Sequence, residues 1–129
     1  MRKFQQISDS EMEVMRIIWN NGGSAMFAHI MNALEEKDRE WKAKTVLTFL
    51  ARLIDKGIIS TVKHGRNNEY IALISAQDYL TEQTKTFVHK VYGGNAKHLI
   101  SSLLKQDFIT SKDMDELKKF WEEGINIDE

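Results

Sequence analysis

The sequence predicts a mostly α-helical chain with one small β-hairpin. Apolar residues recur at helical spacing in six separate stretches, while short β-branched and aromatic runs occur only around "HGRNN" at residues 64–68. The chain has no proline and only seven glycines among its 129 residues, which leaves little room for a long extended linker.

The first helix opens in "ISDSEMEVMRIIW". Ser8 stands at the N-cap with Glu11 three residues on, a capping box, and Ile7 is placed to staple against Met12. Met12, Met15, Ile18 and Trp19 mark its inward face, and turn chemistry at residues 20–23 ends it. A second helix is expected over residues 25–36, with Phe27, Ile30, Met31 and Leu34 as its stripe. The polar "EKDRE" connects it to a third helix over residues 43–56, stopped by Gly57 in a favourable C′ position. "IISTVK" and "EYIAL" then read as two strands joined through the Gly and Asn residues of "HGRNN". Three short helices followed by a basic-tipped hairpin describe a winged helix-turn-helix domain, residues 1–74.

From Ser75 onward the pattern is helical only. Ser75 with Asp78 repeats the helix-start signal, and Leu80, Phe87, Val88 and Val91 form a stripe up to the break at "GGN". Leu99, Ile100, Leu103 and Leu104 mark a fifth helix. A sixth opens near Thr110 with Asp113 three residues on and carries Leu117, Phe120 and Trp121. Residues 75–129 therefore read as a helical dimerisation domain of three helices. Fifty-odd residues are marginal for an independent core, and three apolar stripes exceed what the winged helix would cover. A second copy would cover them, as in most symmetric oligomers. Phe87, Val91, Leu99, Leu103, Leu117 and Trp121 are the interface candidates, with packing within one chain as the alternative for each.

Hydrophobic content of 42% and charged content of 29% are those of an ordinary globular domain. Without cysteine there is no disulfide, thiolate metal site or thiol nucleophile, which fits a reducing compartment. No apolar run has signal-peptide length or approaches the roughly 18 residues of a membrane span, so a cytoplasmic location without membrane insertion is expected. His29, His64, His89 and His98 form no i, i+4 pair, and Gly22-Gly23 and Gly93-Gly94 are isolated pairs rather than a phosphate loop. No metal, no cofactor and no enzymatic activity are expected.

The net charge of −1 hides an uneven distribution. Residues 41–68 hold six cations (Lys42, Lys44, Arg52, Lys56, Lys63 and Arg66) against Asp55 alone, and the acidic C-terminal half offsets them. At about 100° per residue, Val46, Phe49, Leu50 and Leu53 of the third helix share one arc. Lys44, Thr45, Thr48 and Arg52 share the opposite one, with Leu47 at the border and Ala51 small enough for close approach. Those residue types suit a DNA major groove. Arg forks onto guanine O6 and N7, and Thr offers a methyl to thymine and a hydroxyl for hydrogen bonding. Lys42 and Lys44 would neutralise backbone charge, aided by the helix N-terminus, and the same holds at Ser8. His64, Arg66 and Asn67 at the hairpin tip are placed to track phosphates or enter a minor groove. The alternatives are a solvated helix face and a plain polar turn. At the level of the whole protein they are a winged-helix protein-interaction module, or a small-molecule-responsive regulator of another winged-helix family.

"ISDSEMEVMRIIW", "EWKAKTVLTFLARLIDKGII", "YLTEQTKTFVHKVYGG" and "DMDELKKF" together resemble the BlaI/MecI-type penicillinase repressors, a family that includes copper-responsive CopY repressors. The resemblance spans almost the whole chain. It implies a homodimeric transcriptional repressor of antibiotic-resistance genes, bound to double-stranded palindromic operator DNA with TACA/TGTA-type half-sites. Lys44, Thr45, Thr48 and Arg52 match the family's recognition-helix positions. Lys42 and Ala43 replace the family's usual Ser-Pro, which should weaken the helix start while adding a cation. Leu47 stands where relatives are often basic or polar. The missing cysteines exclude the copper-sensing branch's cysteine cluster. The resemblance also implies release by a regulatory membrane protease. The nearest match to the family's cleavage bond is Ser102-Leu103, without the family's usual Asn-Phe.

Overall fold

The structure is a computed structural model that describes residues 5–124. The elements run α1 (Asp9–Asn20), β1 (Ser24–Met26), α2 (Phe27–Glu36), α3 (Ala43–Asp55), β2 (Ile59–His64), β3 (Asn67–Ala72), α4 (Ala76–Tyr92), α5 (Ala96–Lys105) and α6 (Ser111–Glu122). They divide into two compact units that meet between Thr84 and Lys85, within α4.

In the first unit α1 is the central element, touching α2, α3, β1 and β3. Its capping box forms as its residues predict: the Ser8 hydroxyl accepts from the Glu11 N–H at 3.2 Å, and the Ser8 N–H donates to Glu11 Oε1 at 3.1 Å. Val14, Met15, Ile17 and Ile18 are buried, whereas Met12 and Trp19 are only half-buried. A helix packed on several sides buries a wider arc than a single amphipathic stripe marks.

The second helix starts later than expected. Residues 24–26 form a third strand, pairing antiparallel with β3 in the register Ser24↔Ile71, Ala25↔Tyr70, Met26↔Glu69. Gly22 and Gly23, at φ +79° and +96°, supply the left-handed backbone that turns the chain from α1 into it. β3 is thus the middle strand of the order β1-β3-β2. A three-residue strand lacks a period of its own, and pairing with β3 is what makes it one.

α3 ends in a Schellman motif. Gly57, at φ +76°, donates to the Ile54 carbonyl at 2.9 Å, and Ile58 N–H to the Leu53 carbonyl at 3.0 Å. Leu53 and Ile58, the hydrophobic pair of that motif, are both fully buried. Within the same unit the first turns of α4 join the core. The Tyr79 hydroxyl accepts from the Ile7 N–H at 2.8 Å, its ring lies 5.9 Å from that of Trp19, and Trp19 Nε1 donates to the Ile74 carbonyl at 2.9 Å.

In the second unit, α4 turns into α5 through Gly93 and Gly94, both at positive φ. Phe87 meets Tyr92 edge-on at 5.7 Å, and Tyr92 meets His98 at 5.2 Å. Asn95 caps α5, and Thr110 with Asp113 forms a full capping box on α6. Yet no described residue after Tyr79 is buried.

Candidate nucleic-acid interface

α3 is set by what holds its two ends. Before its start, Arg39 forks onto Glu13 of α1, with Nε donating to Oε1 at 2.8 Å and Nη2 lying 2.6 Å from Oε2. The same guanidinium lies 5.4 Å over the Trp41 ring, and Trp41 meets Phe49 of α3 edge-on at 5.1 Å. This chain from Glu13 to Phe49 fixes the approach to the helix. Lys42 is the N-cap and makes no side-chain capping bond. Read by composition, "EKDRE" is a polar connection. Only the pairing with a residue 26 positions away reveals its task.

At the other end, Lys56 Nζ donates to Glu11 Oε1 at 2.6 Å and to the Gln6 carbonyl at 3.0 Å. Glu11 is 1% exposed, the only charged residue in the core among those described. Burial pushes its carboxyl upward. The hydrogen bond from Lys56, then that from the Ser8 N–H and the charge of Lys56, outweigh burial and hold it below the usual carboxylate value.

Between these anchors Val46, Leu50 and Leu53 are buried, and Lys42, Lys44, Thr45, Thr48 and Arg52 are all exposed. No acid stands among the exposed residues from Lys42 to Arg52. The Thr48 hydroxyl donates to the Lys44 carbonyl at 3.1 Å. Its proton is therefore engaged, and the side chain offers outward its methyl and an accepting lone pair.

The wing is a two-residue hairpin closed by His64↔Asn67, with Gly65 at φ +64° in the first loop position, as primed turns require. Arg66 and Asn67 are exposed at its tip. His64 is exposed but engaged: its Nε2 lies 2.8 Å from Glu69 Oε1. That contact, followed by a hydrogen bond from Ser24, holds the Glu69 carboxyl below its usual range. Glu69 thus ties β2, β3 and β1 together at the wing's base. The imidazole's Nε2 is thus engaged within the sheet, while the side chain itself stays exposed at the wing.

A cleft of about 500 Å³ lies between Met26 at the end of β1, Phe27 and Ala28 at the start of α2, Leu47 of α3 and the wing residues Arg66 to Asn68. It joins the helix face to the wing. Ser8 lies elsewhere: through Glu11 it neighbours Lys56, beyond the C-terminal end of α3, about 18 Å along the helix axis from Lys44. Among the described residues no group of three or more His, Asp or Glu could hold a metal ion, and no helix is long and apolar enough to cross a membrane.

A family model described as penicillinase repressor matches residues 7–123. The chain is 33% identical over 126 residues to a penicillinase repressor of Bacillus licheniformis, covering 98% of this chain and 97% of that protein. It is 31% identical over 118 residues to the methicillin resistance regulatory protein MecI of Mammaliicoccus sciuri, covering 90% and 93%. The solved DNA-binding domain of the repressor BlaI superposes with a TM-score of 0.52 at 40% identity, covering 61% of this chain and 94% of that domain. The Bacillus licheniformis BlaI monomer, solved in complex with the blaP half-operator, superposes with a TM-score of 0.50 at 39% identity over the same shares.

Proposed function

The chain belongs to the penicillinase repressor family, and from that premise we propose that it is a DNA-binding transcriptional repressor acting as a homodimer on a palindromic operator. Residues 1–74 grip the DNA, and residues 75–129 pair two copies. The observation that carries this reading is the exposed face of α3, cationic and hydroxylated and without an acid from Lys42 to Arg52. A protein-binding helix would expose apolar side chains there, and Leu47 is the one large apolar residue that α3 exposes. The likeness to a BlaI structure solved on a half-operator supports the same reading.

In this arrangement Arg52 and Thr45 read base edges, Thr48 offers its methyl and lone pair, and Lys42, Lys44 and Arg66 neutralise phosphates. Two α3 helices on a twofold axis would occupy half-sites about 34 Å apart, with TACA/TGTA-type sequences as the family likeness implies. The relatives' names point to β-lactam resistance genes as the controlled targets. Release is assigned to a regulatory membrane protease acting at Ser102-Leu103. Both residues are half-buried within α5, so cutting requires that helix to open locally.

Titrating selected operator and random duplex with two variants tests the assignment. Arg52→Ala is expected to cost about 1–3 kcal/mol on the operator and to relax preference at one base pair. Lys44→Ala should weaken both duplexes alike and lower the salt slope by about 1. With about eight phosphates neutralised per dimer, log K of the unaltered protein should fall against log salt with a slope near −7. Equal losses for Arg52→Ala on both duplexes would remove it from base reading. A protein that ignores every duplex in dilute buffer would end the DNA reading altogether.

A further inference from the structure

We propose that Leu47 is a specificity-determining residue that reads the C5 methyl of a pyrimidine, thymine in unmodified DNA, at one position of each half-site. The inference rests on the DNA-binding reading of α3. Leu47 is 45% exposed, too far out to serve the core that Val46 and Leu50 fill on either side of it in sequence. Its helical neighbours one turn away, Lys44 and Ala51, are exposed as well, so it stands on the flank of the cationic face.

That flank borders the cleft toward Ala28 and the wing residue Arg66. A helix and a wing gripping one duplex would close over this cleft and take Leu47 out of water. A leucine side chain has no donor or acceptor for phosphate or for the polar edge of a base. In the major groove the apolar feature it can meet is the C5 methyl, which thymine carries and cytosine lacks. The short side chains of Ala28 and Ala51 leave room for such a close approach.

The test uses the full chain and duplexes selected from a random pool, with each thymine replaced in turn by deoxyuridine, which lacks only the methyl. The unaltered protein should lose about fourfold in affinity at one thymine per half-site, the worth of one buried methyl. Leu47→Ala should bind thymine and deoxyuridine alike at that position while keeping any losses elsewhere. With cytosine there instead, adding a C5 methyl should help the unaltered protein and leave Leu47→Ala indifferent. Indifference of the unaltered protein to deoxyuridine at every position overturns the proposal and leaves the repressor reading standing. So does a loss that persists undiminished in Leu47→Ala, because the methyl would then be read by another side chain such as Thr45. Failure to select any duplex overturns the repressor reading itself.

Discussion

With Leu117 and Trp121 both replaced by glutamate, the protein is expected to sediment as a 15.0 kDa species and to bind its full operator about 10²–10⁴-fold more weakly. The unaltered chain should sediment at twice that mass. Neither α5 nor α6 buries a single residue, and α6 leaves Leu117 49% and Trp121 74% exposed. Helices of ten and twelve residues are marginal on their own in water and draw most of their stability from packing an apolar face. With no cysteine in the chain to supply a disulfide, that packing is expected to come from another surface. In the proposed dimer, an i, i+4 pair of glutamates would set two like charges against the apolar surface of the partner copy. The size of the loss follows from linkage. Two half-site grips joined in one dimer make the second contact intramolecular, and separating the subunits removes that gain without touching α3. Binding to a single half-site should therefore be unchanged, which separates lost pairing from lost folding. A variant that still sediments as a dimer would move the interface away from α6.

Legibility in the sequence followed the range over which each feature is decided. Ser8 with Glu11, Ser75 with Asp78, Thr110 with Asp113 and the stop at Gly57 are local hydrogen-bond patterns, and all four form as read. The two faces of α3 also separate as its periodicity requires. The remainder depended on distant partners. β1 exists because β3 lies beside it. Arg39 and Trp41 take their role from Glu13 and Phe49. His64, a phosphate candidate by composition, is drawn to Glu69 across the hairpin. Glu11 shows the limit most sharply. Its spacing from Ser8 marks a cap, but nothing local indicates that the same carboxylate is buried and held by a lysine 45 residues away.

Replacing that lysine should reveal how much the buried pair contributes. Lys56→Met keeps the apolar stem and removes the charge, and is expected to cost about 3 kcal/mol of unfolding free energy at neutral pH, measured by urea denaturation. Breaking one side of a buried ion pair strands the other in a medium that solvates it poorly. Such losses run to about 3–5 kcal/mol, and the low end applies here because the Lys56 side chain keeps 21% of its exposure, against 2% for Glu11. The pH dependence supplies the sign. In the unaltered protein the Glu11 carboxyl is held below its ordinary value of 4.5. Its contribution is therefore fully present above that value and is lost as pH falls through the lowered one. Without Lys56, burial is opposed only by the Ser8 hydrogen bonds, and the carboxyl is expected to rise from its lowered value. The variant should then gain stability relative to the unaltered protein on acidification, as the stranded carboxylate takes up a proton. A double variant, Glu11→Gln with Lys56→Met, should recover much of the loss at pH 7, because the uncompensated charge is gone. If Lys56→Met unfolds at the same urea concentration as the unaltered chain at pH 7, the pair contributes nothing to anchoring the end of α3. Arg52, one turn before Lys56, would then owe its position to the burial of Leu50 and Leu53 and to the Schellman motif at Gly57.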